Sequence, residues 1–508
     1  MNIKDLAIAT AISFITFFLL QNIFFKKDNL DIINDKDFLA PTSKIEMEPL
    51  NFEVDFSLKN KEREEKVNII ETKNAIFKFT NNGATINSLI YKNLLENKDE
   101  KIEIISPVIE KDAIPFLVAL NDIGQTPYYY DFVDYYKSDN KHYISYIANS
   151  DIAIIKKNFI IYDDINKIDF NLEIEPLLKS NLKLRLMIPA PQLLNNSINT
   201  MKAVMFNGNE IVKKDLKTIK NFGKENPTIF GIETLYFASL LISDNNNFAK
   251  RAYYKIENSG LLSEYILETT DIREKSSWNL SFYIGPKLIK DLSQLDVRLE
   301  KLLDYGWFSF ICKIILNILN FFHSIFNSYG LAIIVVTIFL KLLLLPFTYQ
   351  SLKSRNKAAE LQKKFQYLSI KYKDDPEALN LAKAEFIKKH GFPGSKGILA
   401  LFLQLPVMIA LNRVLNNSIQ LYKAPLFWID DLSSYDPYYI LPILTGFSLF
   451  IQFMFSYTKD ARSLVFSFVT SIIFTALISN ASAGLALFIF VGALFSLIQN
   501  YIQNIFNL

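Results

Sequence analysis

The pattern of apolar and polar positions changes character along the chain. Leu6 to Phe25 runs for 20 residues without a charge, between Lys4-Asp5 and Lys26-Lys27-Asp28. A helix of that length crosses a bilayer. It ends in Phe24-Phe25 against two lysines rather than in small residues ahead of a cut site, so it reads as a retained anchor and not as a signal peptide. From 50 to 290 the period is two. Ile165, Ile168, Phe170, Leu172 and Ile174 stand among polar residues, and Leu182, Leu184 and Leu186 repeat the alternation. Turn clusters such as Asn81-Asn82-Gly83 and Asp244 to Asn247 punctuate these runs, which predicts many short strands in a β-sandwich. Leu288, Leu292, Leu295, Val297, Leu299 and Leu302 predict one amphipathic helix closing that domain.

The C-terminal third is apolar in blocks: Gly330 to Thr348, Gly397 to Leu415, Tyr438 to Tyr457, Ser463 to Ser479 and Gly484 to Asn500. With the anchor these make six predicted spans. The last two blocks, of 17 residues each, predict helices of about 25 Å and a locally thinned bilayer. Asn480 to Ala483 forces a tight hairpin between them. Trp307 to Phe326 is apolar too, but Lys313, Asn317, Asn320, His323 and Ser324 interrupt it, which predicts a helix lying in the membrane interface. Between the second and third spans, Leu361, Phe365, Leu368 and Tyr372 are spaced as the seam of one helix. A second helix follows: Asp375 can cap it, Pro376 suits its first position, Leu379, Ala382 and Phe386 form its seam, and Gly391 suits its stop.

Composition then narrows the class. The chain is 50% hydrophobic with 43 Phe and a mean hydropathy of +0.16, which excludes a disordered chain and an ordinary soluble enzyme. One cysteine, Cys312, and three histidines exclude a disulfide framework and Cys-rich metal sites, so no metal and no cofactor is expected. The net charge of +3 hides an uneven distribution: residues 349 to 396 hold eleven Lys or Arg against five Asp or Glu. A short basic loop abutting two spans is cytoplasmic. Residues 28 to 329 are then periplasmic, as is the loop 416 to 437 with Asp430, Asp431 and Asp436, whereas Lys459 and Arg462 fall inside and the N-terminus follows by parity. In the outer domain His142 has no carboxylate or cysteine at a useful spacing, and a scaffold or docking role is expected. Gly391 to Gly397 has the wrong spacing for a phosphate loop, and no hydrolase or redox motif is present.

Lys341 is the most informative residue. At 1.5 Å per residue it lies ~16 Å from Gly330 and ~18 Å from Lys353, near the middle of a hydrocarbon layer of about 30 Å. A lysine there costs roughly 2.5 to 3.5 kcal/mol on insertion scales. Snorkelling to the basic loop is hindered, because side chains lean toward the helix N-terminus, which faces outward. Pairing is excluded, because the predicted spans contain no Asp or Glu. A water-filled cavity, backbone carbonyls, or a lipid or substrate carboxylate remain. Gln404, Gln452, Ser467, Thr470, Ser471, Thr475, Gln499 and Asn500 are the other polar residues of the spans; together they can line a groove, although membrane Ser and Thr more often bond to backbone.

Ala424-Pro425-Leu426-Phe427-Trp428-Ile429-Asp430-Asp431-Leu432 and Asp436-Pro437-Tyr438-Tyr439-Ile440-Leu441-Pro442-Ile443-Leu444 resemble the YidC-type membrane protein insertases, relatives of the mitochondrial oxidase-assembly and thylakoid albino insertases. So do Phe282-Tyr283-Ile284-Gly285-Pro286-Lys287, Asp304-Tyr305-Gly306-Trp307, Gln404-Leu405-Pro406 and Ile473-Phe474-Thr475. The resemblance implies a multi-span α-helical protein of the bacterial inner membrane, with six transmembrane helices, a five-helix insertase core and a periplasmic β-supersandwich. It implies a hydrophilic groove formed by Lys341, Gln404, Ser471, Thr475, Gln499 and Asn500. The cytoplasmic hairpin would carry Lys353, Arg355, Lys357, Lys363 and Lys364. Implied partners are nascent membrane proteins, the Sec translocon, the phospholipid bilayer and ribosome–nascent chain complexes. Several positions depart from the family: Lys341 stands where bacterial members usually carry Arg, Ser482-Ala483-Gly484 replaces Pro-Ser-Gly, Gly492-Ala493 replaces Ser-Asn, and a basic C-terminal tail is not seen before Leu508.

The expected division is 1–27 anchor, 28–49 linker, 50–304 β-domain with its closing helix, and 305–329 interfacial helix, followed by 330–352 second span, 353–396 cytoplasmic hairpin and 397–508 third to sixth spans. The alternative from another class is a secondary transporter with an intramembrane lysine site. A third is an anchored periplasmic sugar-binding or scaffold protein with inert spans.

Overall fold

The computed structural model describes residues 64–506 apart from 93, 97–100, 106–114, 121–128, 178–180, 192–200, 220–222, 257–262, 304, 346–366, 369, 373–375, 391–394 and 457–460. The anchor, the linker and the hairpin residues Lys353, Arg355, Lys357, Lys363 and Lys364 lie outside these. The chain forms two compact units, one of residues 28–303 with 417–420, the other containing 304–416 and 421–508.

The first unit is built of antiparallel strands. β1 (Val67–Glu71), β2 (Ala75–Thr80), β3 (Thr85–Tyr91) and β4 (Ile102–Ile105) form one sheet in chain order. A five-stranded sheet runs β13 (Gly223–Glu225), β16 (Arg251–Ile256), β17 (Ser263–Glu268), β10 (Leu184–Pro189), β5 (Leu117–Leu120). A nine-stranded sheet runs β12 (Ile211–Asp215), β11 (Lys202–Phe206), β14 (Phe230–Glu233), β15 (Phe237–Asp244), β18 (Ser276–Pro286), β9 (Lys167–Pro176), β8 (Ala153–Tyr162), β7 (Lys141–Asn149), β6 (Asp131–Ser138). The period of two does what it predicts in β9, where Ile168, Phe170, Leu172 and Ile174 are buried and their neighbours are not. Ile165 precedes the strand. β10 is buried at every position, so its leucines mark a strand covered on both faces rather than an alternating one. Phe116, just before β5, packs edge-on to Phe159 of β8 and Phe282 of β18 at 5.3 and 5.1 Å, which closes the sandwich core.

Several charged groups inside this core are partnered. Lys157 occupies an inward position of β8 and is fully buried. Its Nζ donates to the carbonyls of Gly83 and Phe116, both at 2.6 Å, and lies 4.7 Å from the Tyr130 ring centroid. One lysine thereby pins β8 to the β2–β3 turn and to the start of β5; burial pushes its pKa well below the ordinary lysine value. Glu268 of β17 accepts from Arg185 of β10 at 2.9 Å and from Arg251 of β16 at 2.6 Å. His142 does meet a carboxylate: its Nε2 lies 2.9 Å from Asp163 Oδ1 and its Nδ1 2.9 Å from the Tyr135 hydroxyl. The sequence reading missed this because β7 and β8 fold back on each other, bringing residues 21 apart together.

The closing helix is two pieces, not one. α1 (Ile289–Leu295) stops at Asp296, whose extended backbone and side chain cap a 3-10 turn over Val297–Leu302 by accepting from the Arg298 N–H. Val297 is 72% exposed and leaves the apolar seam, while Leu292, Leu299 and Leu302 keep it.

Buried Asp291 of α1 accepts from Asn166 Nδ2 at 2.7 Å, and burial pushes its pKa up to about 6. The sign follows: the fold binds this proton more tightly than the unfolded chain does, so the contribution is full below about pH 4 and is lost as pH rises through about 6. Asp291→Asn keeps an acceptor for Asn166. Its unfolding free energy should exceed the wild-type value by an amount that grows from pH 4 to pH 7, reaching about 1 to 3 kcal/mol and raising the thermal midpoint accordingly. A difference flat across thermal melts at pH 4, 5.5 and 7 would refute this.

The second unit is helical: α2 (Ser309–Phe326), α3 (Tyr329–Leu345), α4 (Pro376–His390), α5 (Ser395–Asn417), α6 (Ile440–Ser456), α7 (Ala461–Ile478) and α8 (Ala483–Phe506). α4 begins at the predicted proline and ends one residue before the predicted glycine. α8 has 24 residues, not 17. Gln499 and Asn500 do not stop it, because Tyr501, Ile502, Ile505 and Phe506 continue an apolar helix, and the inference of a short final span falls with them. Among the described residues, Ser309–Phe326 and Ala483–Ile502 are long and apolar enough to cross a membrane, and Tyr329–Leu345, Ile440–Gln452 and Leu464–Ile478 are apolar but shorter. The first of these is the segment expected in the interface; its buried residues Cys312, Ile315, Leu316 and Leu319 form a single stripe.

Candidate functional site: a lysine held against the last helix

Lys341 sits four residues before the described end of α3 and is only partly exposed. Its neighbour is α8. At Gly492 an added methyl carbon would stand 3.1 Å from Lys341 Cε and 3.7 Å from Nζ, so the missing side chain is what lets the lysine stem lie against that helix. Its Nζ then points at the Ser496 hydroxyl, 3.4 Å away. Ser496 donates its own proton to the Gly492 carbonyl at 2.9 Å, which leaves its oxygen free to accept from the ammonium. Thr337, one turn before Lys341, is fully buried and donates to Ile333 O. Among the described residues no carboxylate pairs with Lys341, and α3, α5, α6, α7 and α8 contain no Asp or Glu.

The other expected groove residues divide. Asn500 and Gln499 follow Ser496 by four and three positions, on the same face of α8 one turn further along. Ser471 and Thr475 go elsewhere. Their hydroxyls donate to Phe468 O and Ser471 O of their own helix, and a methyl on Gly446 of α6 would overlap the Thr475 oxygen. They form the α6–α7 packing surface, as small residues do where membrane helices approach closely. Gln404 lies in α5 ahead of Pro406, and its side chain is outside the described residues. Thr445, Ser448 and Thr470 also bond back to their own helices, to Leu441 O, Leu444 O and Phe466 O. Ser496 and Gly492 were missed by the sequence reading, although the spacing of Gly492, Ser496 and Asn500 by four carries the signal.

The loop between α5 and α6 is held by two aspartates. Asp431 accepts from the N–H groups of Lys423 and Ser433, and buried Asp436 from those of Tyr438 and Leu441 and from Trp428 Nε1. These acids are structural. Around them Phe427, Tyr435, Tyr438 and Tyr439 are exposed, a belt of aromatics of the kind found at membrane–water boundaries.

Gly492 gives a direct test of this geometry. Gly492→Ala needs a shift of a few tenths of an ångström and raises helix propensity by about 1 kcal/mol, so the protein should be at least as stable. Gly492→Leu should expel the ammonium from α8 and reproduce the growth defect of a Lys341→Leu variant in cells that carry it as their sole copy. Normal growth of the Gly492 variant beside a defective Lys341 variant would contradict the assignment.

A β-sandwich joined to a set of apolar helices that hold an acid-free lysine defines a membrane protein with a large folded domain outside the lipid. The family model described as 60Kd inner membrane protein matches residues 321–507, and that described as YidC periplasmic domain matches residues 146–318. The chain belongs to the YidC family of inner membrane proteins. It is 40% identical over 225 residues to the membrane protein insertase YidC of Campylobacter jejuni, covering 44% of this chain and 43% of that one. It is 34% identical over 273 residues to the membrane protein insertase YidC of Geotalea uraniireducens, covering 53% and 52%. The match spans about half the length of these curated relatives. A solved structure of an active YidC insertase with its first transmembrane domain resolved aligns over 86% of this chain and 93% of its own, at 17% identity and a TM-score of 0.38.

Proposed function

We propose that the protein is an insertase that guides nascent membrane proteins into the inner membrane. The observation that carries this reading is Lys341. Its ammonium has three N–H groups and Ser496 takes one; water or an incoming acidic group serves the others. Such an arrangement suits a hydrated groove. A nascent segment's polar flank would enter it, with part of the hydrocarbon path replaced by water and a fixed charge, so the desolvation cost of carrying polar groups falls. The apolar part of the segment then slides into lipid, and its burial drives the step. No bond is made or broken, so the activity is not enzymatic.

The topology in this reading is the one the sequence suggests: six spans, N-terminus in the cytoplasm, residues 28–329 in the periplasm, α2 along the interface and α4 in a cytoplasmic hairpin. Exposed Ile443, Phe447, Met454, Val465, Phe468, Ile472 and Ile498 support lipid contact for α6, α7 and α8, since a water-facing surface this apolar is rare. Gln499 and Asn500 extend the wet face of α8, and the basic hairpin supplies a surface for ribosome–nascent chain complexes. The Sec translocon is the proposed partner for longer substrates.

Deletion of most of residues 50–290 separates this reading from an anchored scaffold. Insertion of newly made single-span proteins should persist in cells carrying the deleted form as their sole copy. Its disappearance, with the helical unit still present in the membrane, would overturn the assignment to the helices.

A further inference from the structure

A polar cleft of about 270 Å³ opens in the helical unit away from Lys341. It is lined by Asn412 and Asn416 near the end of α5, Ser434 and Tyr435 of the α5–α6 loop, and Asn480 and Ser482 of the α7–α8 turn, among others, none of them charged. Ser482 Oγ is buried there without a hydrogen-bond partner. A buried hydroxyl with no protein partner in a polar cleft is served by water or by a polar ligand group.

What kind of occupant follows from the donors. A phosphate would need a cation or free helix N–H groups. No lysine or arginine lines the cleft. The first N–H groups of α8 are already spent, Ala483 on Ser434 O and Gly484 on Leu432 O. What remains is neutral amides and hydroxyls, of which Asn416 Nδ2 already donates to Asn412 Oδ1 at 3.1 Å; groups that both donate and accept match the peptide group.

The cleft and the lysine lie at different levels of α8. Gly484 and Gly492 are eight residues apart on α8, so the two levels are separated by about 12 Å. The side chains near these levels are apolar: a Cβ on Gly484 would meet Ile333 Cδ1 of α3 and Leu415 Cδ2 of α5 at 3.4 Å, and Val336, Leu411 and Val414 are buried. A polar chain that has passed this layer meets the cleft next.

We propose that the cleft receives the peptide backbone of the substrate's translocated segment as it emerges on the outer side. The proposal rests on the insertase reading and deepens it. Neutral lining makes it tolerant of sequence, whereas Lys341 supplies the preference for acid.

The test uses the full chain in membrane vesicles with a stalled single-span substrate, and a photo-crosslinking residue at Tyr435 or at Ile338, one turn from Lys341. Position 435 should capture residues of the translocated tail, and position 338 should capture the substrate as well. Capture at 338 with none at 435, or with lipid alone at 435, overturns the cleft proposal and leaves the insertase reading intact. Capture at neither while the substrate integrates overturns both. In parallel, Asn480→Asp should slow integration of substrates with acidic tails by roughly five-fold and leave neutral tails unchanged. Equal rates for both tails, or an equal loss for both, counts against the cleft, because a merely misfolded variant would not discriminate by charge.

Discussion

Lys341→Leu should lower integration of substrates with acidic translocated segments by about tenfold, equivalent to roughly 1.4 kcal/mol, while substrates with neutral segments change little. The split is the diagnostic part. Removing the cation takes away attraction for carboxylates and leaves the apolar slide into lipid untouched. Lys341→Arg should retain activity, since charge persists even though a planar fork replaces a compact ammonium. Ser496→Ala should have a smaller effect, because water can replace one hydroxyl acceptor at a hydrated site. Lys341→Cys should react with polar thiol reagents added from the cytoplasmic side. Pulse-labelled integration assays with paired substrates differing only in tail charge would measure all of this. Equal performance of the Leu variant on every substrate would remove Lys341 from the mechanism.

Much of this site was legible because a charge in an apolar run announces itself, and the strands because burial on one face enforces a period of two. The two ends of α4 were legible from Pro376 and Gly391, since both act locally. What stayed hidden depends on pairing between distant elements. Ser496 lies 155 residues from Lys341, and within its own helix only the four-residue spacing from Gly492 and Asn500 hints at it. Thr475 looked like a groove residue because hydroxyls in a span are polar, but its proton is spent on the preceding turn and its bulk fits the hole left by Gly446. Lys157 sits at an inward position of a strand whose other inward residues are Ala153, Ile155, Phe159 and Ile161. Only the folded arrangement supplies the carbonyls that make that position tolerable.

Glu268→Gln should destabilise the β-sandwich by about 3 to 5 kcal/mol, the largest stability effect expected of a single substitution here. Arg185, Glu268 and Arg251 lie side by side across β10, β17 and β16 and are 2%, 6% and 8% exposed. One carboxylate serves two guanidinium groups, and taking its charge away leaves two buried cations facing each other at low effective dielectric. For a domain of this size the unfolding midpoint should fall by roughly 10 °C. The net worth of the triad is a separate matter, because desolvating three charges offsets most of their attraction. Replacing all three together, Arg185→Met, Glu268→Leu and Arg251→Met, should therefore recover most of the loss. A triple variant as unstable as the single one would mean that the triad stabilises the sandwich outright. Insertion assays on Glu268→Gln below its lowered midpoint should be normal, since the chemistry of entry is assigned to Lys341 and not to the sheets. A defect there with the sandwich still folded would move part of the function into the β-domain.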